Sequence, residues 1–206
     1  MSVTEQIPLA TLASQASTCT RCRLANGRTQ VVFGVGNPRA GVMFIGEGPG
    51  YYEDKQGEPF VGAAGQLLTQ MLGEIGLRRE DVYIANVVKC RPPGNRDPLP
   101  DEIEACRPYL LGQLENIQPR LIVTLGNFAT RVVLDRQVGI SRVRGQRFDI
   151  DGRTVLPTFH PAAILHGGGQ ASPQMAALRS DFRTIAEILA EPQPVAVAAE
   201  EQLGLF

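Results

Sequence analysis

The stretch of sequence that decides the fold is GVMFIGEGPG, residues 41–50. Residues 41–46 form a short apolar run that ends in glycine, which predicts a buried β-strand. Because glycine and proline dominate the loop that follows, its backbone can approach a ligand closely. Open α/β sheets bind ligands beyond the carboxyl ends of their strands, so we expect this loop to line a binding site. The alternative interpretation is a strained turn with solvated acidic side chains.

Outward from this stretch, strand and helix patterns alternate along the chain. Further strands are predicted at residues 81–88 and 121–125, with a hairpin of 144–150 and 153–159. Helices are predicted at residues 4–17, 62–76, 100–117, 126–134 and 173–189. This alternation predicts an α/β fold, a single three-layer α/β/α domain around a central, mainly parallel sheet. We assign residues 1–190 to this domain and residues 191–206, rich in Pro, Ala, Val and Glu, to a flexible tail.

Composition narrows the classes of protein that fit. The chain has 206 residues, of which 43% are hydrophobic and 20% are charged, as is typical of a globular domain. The apolar runs are too short to cross a bilayer, and the first residues do not have the pattern of a signal peptide. We therefore expect a cytoplasmic monomer with no membrane partner. Because the net charge is −1, any nucleic-acid surface must be a local basic cluster.

The four cysteines form a candidate metal site. Cys19 and Cys22 make a C-x2-C pair, and Cys90 and Cys106 are separated by fifteen residues. Thiolates two residues apart can bind one metal centre from a single turn of chain. Four unrelated buried thiols are the alternative. From the spacing alone, zinc and an iron–sulfur cluster both stay open, and either all-cysteine site would serve structure or electron transfer.

Polar side chains follow the predicted strands at one edge of the sheet. Asn86 lies near the end of the second strand, Asn127 follows the third, and His160 follows the last strand of the hairpin. Together with Phe60 and the acidic residues of the glycine loop, they make a small polar pocket with an aromatic wall. Such a pocket suits a flat heterocycle held by stacking and by hydrogen bonds to its edge.

Four motifs together resemble a known family. They are GEGPG followed by Glu53-Asp54, KCRPPGNRDP at residues 89–98, Leu-Gly-Asn at 125–127, and Phe-His-Pro-Ala at 159–162. This combination resembles the family 4 uracil-DNA glycosylases, the iron–sulfur-containing bacterial and archaeal branch, over residues 19–189. The resemblance implies the uracil-DNA glycosylase fold. It also implies a 4Fe–4S cluster whose ligands are Cys19, Cys22, Cys90 and Cys106.

The resemblance implies roles for individual residues in the pocket. Phe60 would stack on a uracil flipped out of DNA, and the backbone at Gly48 would lie against the base. The side-chain amide of Asn86 would bind the N3–O4 edge of uracil, which cytosine does not match. His160 would donate a hydrogen bond to the departing uracil anion.

The implied activity is uracil excision by a monofunctional glycosylase that starts base excision repair. A carboxylate, from Glu47 or Glu53, would position water and stabilise the sugar cation, and both candidates stay open. No lysine in these motifs suits a Schiff-base nucleophile. The second hypothesis is a non-catalytic iron–sulfur module that binds uracil or damaged DNA. The third, a small-molecule nucleotide enzyme, is disfavoured because the glycine loop lacks a phosphate-binding lysine.

Contacts to DNA are expected from two basic clusters and an apolar wedge. Lys89 and Arg91 lie near the cysteines, and Arg144 precedes the hairpin turn. Arginines of this kind can also be solvated surface residues. The family has a wedge that fills the gap left by the flipped base, and Ile164 or Leu165 would serve here.

The chain ends in QLGLF, residues 202–206. This pentapeptide resembles the motif by which bacterial repair and replication proteins bind the sliding clamp. Gln202 would make polar contacts, and the apolar Leu203, Leu205 and Phe206 would bind a hydrophobic pocket. The alternative is that the three apolar side chains pack on the domain itself.

Overall fold

The computed structural model describes residues 6–192. The clamp-like motif at 202–206 and the first residues of the helix predicted at 4–17 lie outside the described residues. Most of the predicted tail, 193–206, also lies outside them.

A single sheet of six strands forms the centre of the fold. The strands are β1 (Val35–Gly36), β2 (Val42–Gly46), β3 (Tyr83–Asn86), β4 (Leu121–Leu125), β5 (Phe148–Ile150) and β6 (Arg153–Thr158). Their order is β1-β3-β2-β4-β6-β5, with β3, β2, β4 and β6 parallel and both edge strands antiparallel. Every residue of β2, β3 and β4 is buried, which explains why they are largely apolar runs rather than alternating ones. The predicted mainly parallel sheet is confirmed.

Eight α-helices lie within the described residues. They are α1 (Leu9–Ser17), α2 (Tyr51–Gln56), α3 (Ala63–Glu74), α4 (Pro100–Ile117), α5 (Gly126–Leu134), α6 (Ile140–Val143), α7 (Pro161–His166) and α8 (Pro173–Ala190). The sequence predicts α4, β4 and α5 with the bounds observed here. It does not predict α2, α6 or α7, which have only four to six residues and are too short to show helical periodicity.

Two hydrophobic cores separate the sheet from the helices on its two faces. On one face, the apolar sides of α3 and α8 pack on the sheet, and the ring of Phe182 stacks on Phe44 with centroids 5.9 Å apart. On the other face, α4 and α5 cover Met43, Ile45 and Ile122. This is the predicted three-layer α/β/α arrangement. No helix within residues 6–192 is long and apolar enough to cross a membrane.

The parallel strands deliver their loops to one edge of the sheet. Gly46 at the end of β2 is paired with Asn86 at the end of β3, and Leu125 at the end of β4 is paired with Thr158 at the end of β6. The loops that carry the predicted pocket residues therefore leave the sheet side by side. This edge is where an open α/β sheet binds its ligand.

Candidate active site

Gly46 lets two pocket residues meet above the end of β2. A Cβ atom at this position would lie 2.4 Å from Oδ1 of Asn86 and 2.7 Å from Cζ of Phe60. Both distances are shorter than non-bonded contacts allow, so only glycine leaves the two side chains in place. The glycine therefore serves close packing beneath the pocket, besides ending the strand.

The loop that carries Phe60 is held from two sides. Phe60 has a φ of 55°, in the left-handed region, and the helix beneath it approaches so closely that a Cβ at Gly65 would lie 1.7 Å from its carbonyl oxygen. Glu53 on α2 accepts hydrogen bonds from the backbone N–H groups of Val61 and Gly62, both at 3.0 Å. Left-handed backbone at a non-glycine residue is costly and persists where surrounding contacts impose it. One carboxylate oxygen of Glu53 is thus committed to placing the aromatic wall.

Asn86 presents an unsatisfied acceptor. Its side chain is only 2% exposed, and its buried Oδ1 has no hydrogen-bond partner among the described residues. Leaving a buried acceptor without a donor costs about 1–3 kcal/mol. A ligand that brings an N–H group to this oxygen would recover that cost.

His160 is held as a neutral hydrogen-bond donor. It precedes α7, and its Nδ1 accepts a hydrogen bond from the backbone N–H of Ala162 at 3.1 Å. Burial lowers the pKa of His160 to about 4, against the opposing effect of nearby Glu53. With Nδ1 accepting, the single proton of the neutral imidazole lies on Nε2. Nε2–H is therefore available to a ligand at neutral pH.

Glu47 differs from Glu53 in its environment. Burial raises the pKa of Glu47 to about 7, and the negative charge of Asp97 adds to the rise. Among the described residues, no side-chain hydrogen bond involves the Glu47 carboxyl, whereas Glu53 is bonded to the Phe60 loop. A carboxyl group with a raised pKa and free oxygens in a cleft is typical of a catalytic acid or base.

One cavity of about 530 Å³ joins these residues. The predicted residues that line it are Glu47, Gly48, Glu53, Phe60, Asn86 and His160. Arg96 also lines it, together with Pro92, Asn95 and Asp97, three residues to which the sequence assigned no role. Their signal was the KCRPPGNRDP motif, which carried the resemblance without assigning them a role. A larger groove of about 680 Å³ lies between α1 and α4 and contains none of the predicted pocket residues.

All four cysteines line a separate, smaller cavity. The Sγ of Cys106 accepts a hydrogen bond from the backbone N–H of Lys89 at 3.2 Å, and the Sγ of Cys90 accepts one from Arg28 at 3.5 Å. Within residues 6–192, no three His, Cys, Asp or Glu side chains are close enough to hold a single metal ion. Four thiols around one cavity, with N–H donors to two of the sulfurs, fit a sulfur-ligated group larger than one ion.

Two of the predicted DNA contacts are wrong. Lys89 is 1% exposed, and its Nζ donates to the carbonyl of Asn86 at 2.7 Å and to Oε1 of Gln113 at 2.5 Å. Arg144 donates from Nε to Asp181 at 2.9 Å and is mostly buried against α8. Lys89 has no exposed surface to offer DNA, and Arg144 is committed to the buried carboxylate of Asp181. Arg91, by contrast, lies near the surface beside the ring of Tyr51.

The two wedge candidates differ in their exposure to solvent. Ile164 is 0% exposed and belongs to the core beneath α7, so its assignment as a wedge is wrong. Leu165, the next residue, is 41% exposed. Successive residues on a helix point in different directions, and here only Leu165 points outward.

The fold and this pocket define a class of protein, which comparison with known sequences identifies. Residues 33–183 match the model of the uracil DNA glycosylase superfamily, so the chain belongs to that superfamily. A type-4 uracil-DNA glycosylase of Archaeoglobus fulgidus is 47% identical over 192 residues, covering 89% of this chain and 94% of the relative.

Two further relatives carry the same name. The type-4 enzyme of Thermotoga maritima is 52% identical over 156 residues, covering 75% of this chain and 81% of the relative. That of Sulfurisphaera tokodaii is 45% identical over 192 residues, covering 88% and 85%. The chain therefore belongs to the type-4 uracil-DNA glycosylases, as the four motifs predict.

Proposed function

We propose that the protein is a monofunctional uracil-DNA glycosylase that flips uracil out of DNA and hydrolyses its N-glycosidic bond, starting base excision repair. The observation that carries this function is the orphaned, buried Oδ1 of Asn86. The N3–H of uracil is the donor that this oxygen lacks, and the Nδ2 amide would donate to uracil O4. Cytosine has an acceptor at N3 and donors at N4, so both contacts would be repulsive.

The aromatic wall supports the same ligand. Phe60 lines the cavity and offers a ring for stacking, while Gly48 places backbone where a side chain would otherwise occupy space. A Cβ at Gly48 would lie 2.8 Å from Cγ2 of Val88, so the loop cannot accept a larger residue without moving. A flat pyrimidine held between ring and backbone suits this slot.

The neutral His160 is suited to stabilise the leaving group. When the bond between sugar C1′ and uracil N1 breaks, its electron pair passes to uracil, and negative charge develops on the base. Nε2–H of His160 would donate to that charge without transferring its proton. A preorganised donor in a buried site contributes most where charge develops during the reaction.

We assign the carboxylate role to Glu47. The sugar develops cationic character as uracil departs, and a water oxygen then bonds to C1′ while its proton passes to the carboxylate. Glu47 has free oxygens and a raised pKa, whereas Glu53 holds the Phe60 loop. Glu53 is therefore a positioning residue.

We also propose that Cys19, Cys22, Cys90 and Cys106 hold a 4Fe–4S cluster. The support is the shared cavity and the two N–H···S hydrogen bonds. When bound, the cluster would supply cross-linking of distant chain segments rather than hydrolytic chemistry. Iron, sulfide and zinc analysis of anaerobically purified protein tests this, and stoichiometric zinc without iron would contradict it.

The activity test uses one labelled oligonucleotide with a single uracil. We expect cleavage only after alkali treatment, because a monofunctional enzyme leaves an intact abasic strand. Oligonucleotides with cytosine or thymine at that position are the controls. Tight binding without released uracil would instead support a non-catalytic module that binds damaged DNA.

The C-terminal motif supports a proposal about partners. Gln202, Leu203, Leu205 and Phe206 match the clamp-binding pentapeptide, and short peptides of this kind gain affinity on a multimeric clamp. Deleting residues 202–206 should abolish binding to the host's sliding clamp and leave excision on free oligonucleotides unchanged. Equal clamp binding by both proteins, or by neither, would contradict it.

We place the enzyme in the cytoplasm as a monomer. The four cysteines are free thiols, as a reducing compartment maintains them and as metal ligation requires. Fractionation of cells and light scattering of the purified enzyme test the two statements.

A further inference from the structure

An exposed pair of tyrosines stands beside the mouth of the uracil pocket. Tyr51 and Tyr52 open α2 and are 50% and 60% exposed, with ring centroids 5.4 Å apart in an edge-to-face arrangement. They follow Gly50, which lines the pocket. Adjoining exposed aromatic rings form an apolar patch, and such patches mark interaction sites.

The acidic residues of the same helix turn away from this surface. Glu53 bonds to the backbone of the Phe60 loop, as described above. Asp54 is 2% exposed and accepts a hydrogen bond from the backbone N–H of Thr29 at 2.8 Å. The outward side of α2 therefore presents Tyr51, Tyr52 and Lys55 without the two carboxylates that lie between Tyr52 and Lys55 in sequence.

Two cations lie beside the ring of Tyr51. The guanidinium carbon of Arg91 lies 5.1 Å, and Nζ of Lys55 lies 5.9 Å, from the ring centroid of Tyr51. Nζ of Lys55 donates a hydrogen bond to Oγ1 of Thr29 at 3.2 Å, and Nε of Arg91 donates one to Oδ1 of Asn95 at 2.7 Å. Within the part of the chain that the structure describes, neither cation makes a salt bridge, whereas Arg96 is paired with Glu102. We call Tyr51, Tyr52, Lys55 and Arg91 the tyrosine platform. Its charge is complementary to a phosphate.

We propose that the tyrosine platform binds a nucleotide adjacent to the flipped uridine, with its base stacked on Tyr52 and the backbone phosphates contacting Lys55 and Arg91. The proposal rests on the proposed function. Tyr52 is the more exposed ring, while the ring of Tyr51 already contacts both cations and Tyr52. Tyr52 is two residues from Gly50, so their Cα atoms are at most about 7–8 Å apart, within reach of a neighbouring nucleotide.

Base stacking on an aromatic ring is tolerant of sequence and suits an enzyme that meets uracil in any context. The two rings and the two cations together match single-stranded nucleic acid, which offers bases and phosphates at short intervals. The platform would thus hold the strand while the uridine enters the pocket.

The test pairs variants with substrates that lack one base. Three single-stranded oligonucleotides contain one uracil: an unmodified one, and two in which the 5′ or the 3′ neighbour is an abasic tetrahydrofuran. Wild-type protein is compared with Tyr52→Ala, Tyr52→Phe and Leu111→Ala. Leu111 is a control of similar exposure, 48%, on α4 and away from the pocket. Single-turnover rates and Kd are measured for each combination.

We expect Tyr52→Ala to weaken Kd for the unmodified strand by about 5- to 150-fold, the range for one base–aromatic stack. Removing one of the two neighbouring bases should cost wild-type protein the same factor, and Tyr52→Ala should lose nothing further on that strand. Tyr52→Phe and Leu111→Ala should resemble wild type. An equal loss on all three strands, or no loss on any, would overturn the proposal.

The phosphate contact has its own readout. Lys55→Gln should reduce the slope of log Kd against log salt by about 0.7, the value for one phosphate contact on a single strand. Arg39→Gln, which precedes β2 at the opposite edge of the sheet, is the matched control and should leave the slope unchanged. An unchanged slope in Lys55→Gln would overturn this part. If wild-type protein released no uracil from any strand, the proposed function would fail, and the Kd comparisons would still decide whether the platform binds nucleotides.

Discussion

The phenyl ring of Phe60 lies against the imidazole of His160, with ring centroids 5.6 Å apart and planes inclined by 29°. Phe60 belongs to the loop between α2 and α3, and His160 follows β6, so this contact joins loops from separate parts of the chain. The apolar ring contributes to the burial that lowers the pKa of His160 to about 4. The aromatic wall thus favours the neutral histidine on which the proposed mechanism depends.

Replacing His160 by Asn should separate catalysis from folding. Asparagine is a good N-cap, so it preserves the helix start that Nδ1 now stabilises. It cannot place a donor where Nε2 lies. We expect the single-turnover rate to fall by about 10²- to 10³-fold, with Kd for uracil-containing DNA nearly unchanged. A variant that kept its rate would show that His160 does not stabilise the leaving group.

Replacing Asn86 by Leu should abolish excision and stabilise the protein. The leucine is nearly isosteric and removes an acceptor that has no partner in the fold. We expect the free energy of unfolding to rise by about 1 kcal/mol, or Tm by about 2–4 °C. Excision should fall by at least about 10²-fold, because two hydrogen bonds to uracil are lost. A drop in Tm would mean that Asn86 has an internal role.

The excision rate should rise with pH through the pKa of Glu47. The reactive form is the carboxylate, so the rate should climb up to about pH 7, the pKa to which burial and Asp97 raise this group, and then level off. His160 stays neutral over this range. Asp97→Asn should move the midpoint to lower pH, and Glu47→Gln should remove the dependence. A pH profile that is the same in all three proteins would exclude Glu47.

The free energy of unfolding should also depend on pH through the titration of Glu47. The pKa of Glu47 is raised in the folded state from 4.5 to about 7, so the folded protein binds its proton more tightly. This contribution is fully present below pH 4.5 and is lost as pH rises through about 7. Denaturant unfolding at pH 5 and pH 8 should therefore show Glu47→Gln gaining stability relative to wild type at the higher pH.

Ile164→Ala and Leu165→Ala should fail in different ways. Replacing the buried Ile164 by Ala should lower the free energy of unfolding by about 2–5 kcal/mol, because the substitution leaves a cavity in the core. Replacing the exposed Leu165 by Ala should change stability little. It should lower the rate of excision from duplex DNA by about tenfold and the rate on single strands by less. Thermal melts and single-turnover assays on both substrates check this. Equal loss on both substrates would argue against a wedge.

Removing the proposed 4Fe–4S cluster should destabilise the fold. Cys19 and Cys22 precede α4, whereas Cys106 lies within it, so a shared centre joins segments far apart in sequence. After oxidation and chelation, we expect Tm to fall by more than about 5 °C, since each kcal/mol lowers Tm by about 2–4 °C in a domain of this size. Anaerobic reconstitution with iron and sulfide should restore it. An unchanged Tm would show that the thiols bind nothing structural.

Several features of the fold could be predicted from local sequence. Pro100 at the first position of α4 and Pro119 after its end bound that helix, and the apolar run 121–125 ends at Gly126. Each of these boundary signals depends on only a few neighbouring residues, so the sequence alone predicts where these elements begin and end. The short helices α2 and α7 have six residues each, which is too few for a helical periodicity to show in the sequence.

The sequence by itself determined the alternation of strands and helices, the family through its four motifs, and the set of polar residues that the parallel strands collect at one edge. Only the tertiary structure decided which of the predicted site residues are available to a ligand. Lys89 and Ile164 are buried, Glu53 bonds to the Phe60 loop, and Glu47 keeps free oxygens. The physical reason is that burial and hydrogen-bond partners come from residues distant in the chain, such as Gln113 for Lys89, which local sequence does not reveal.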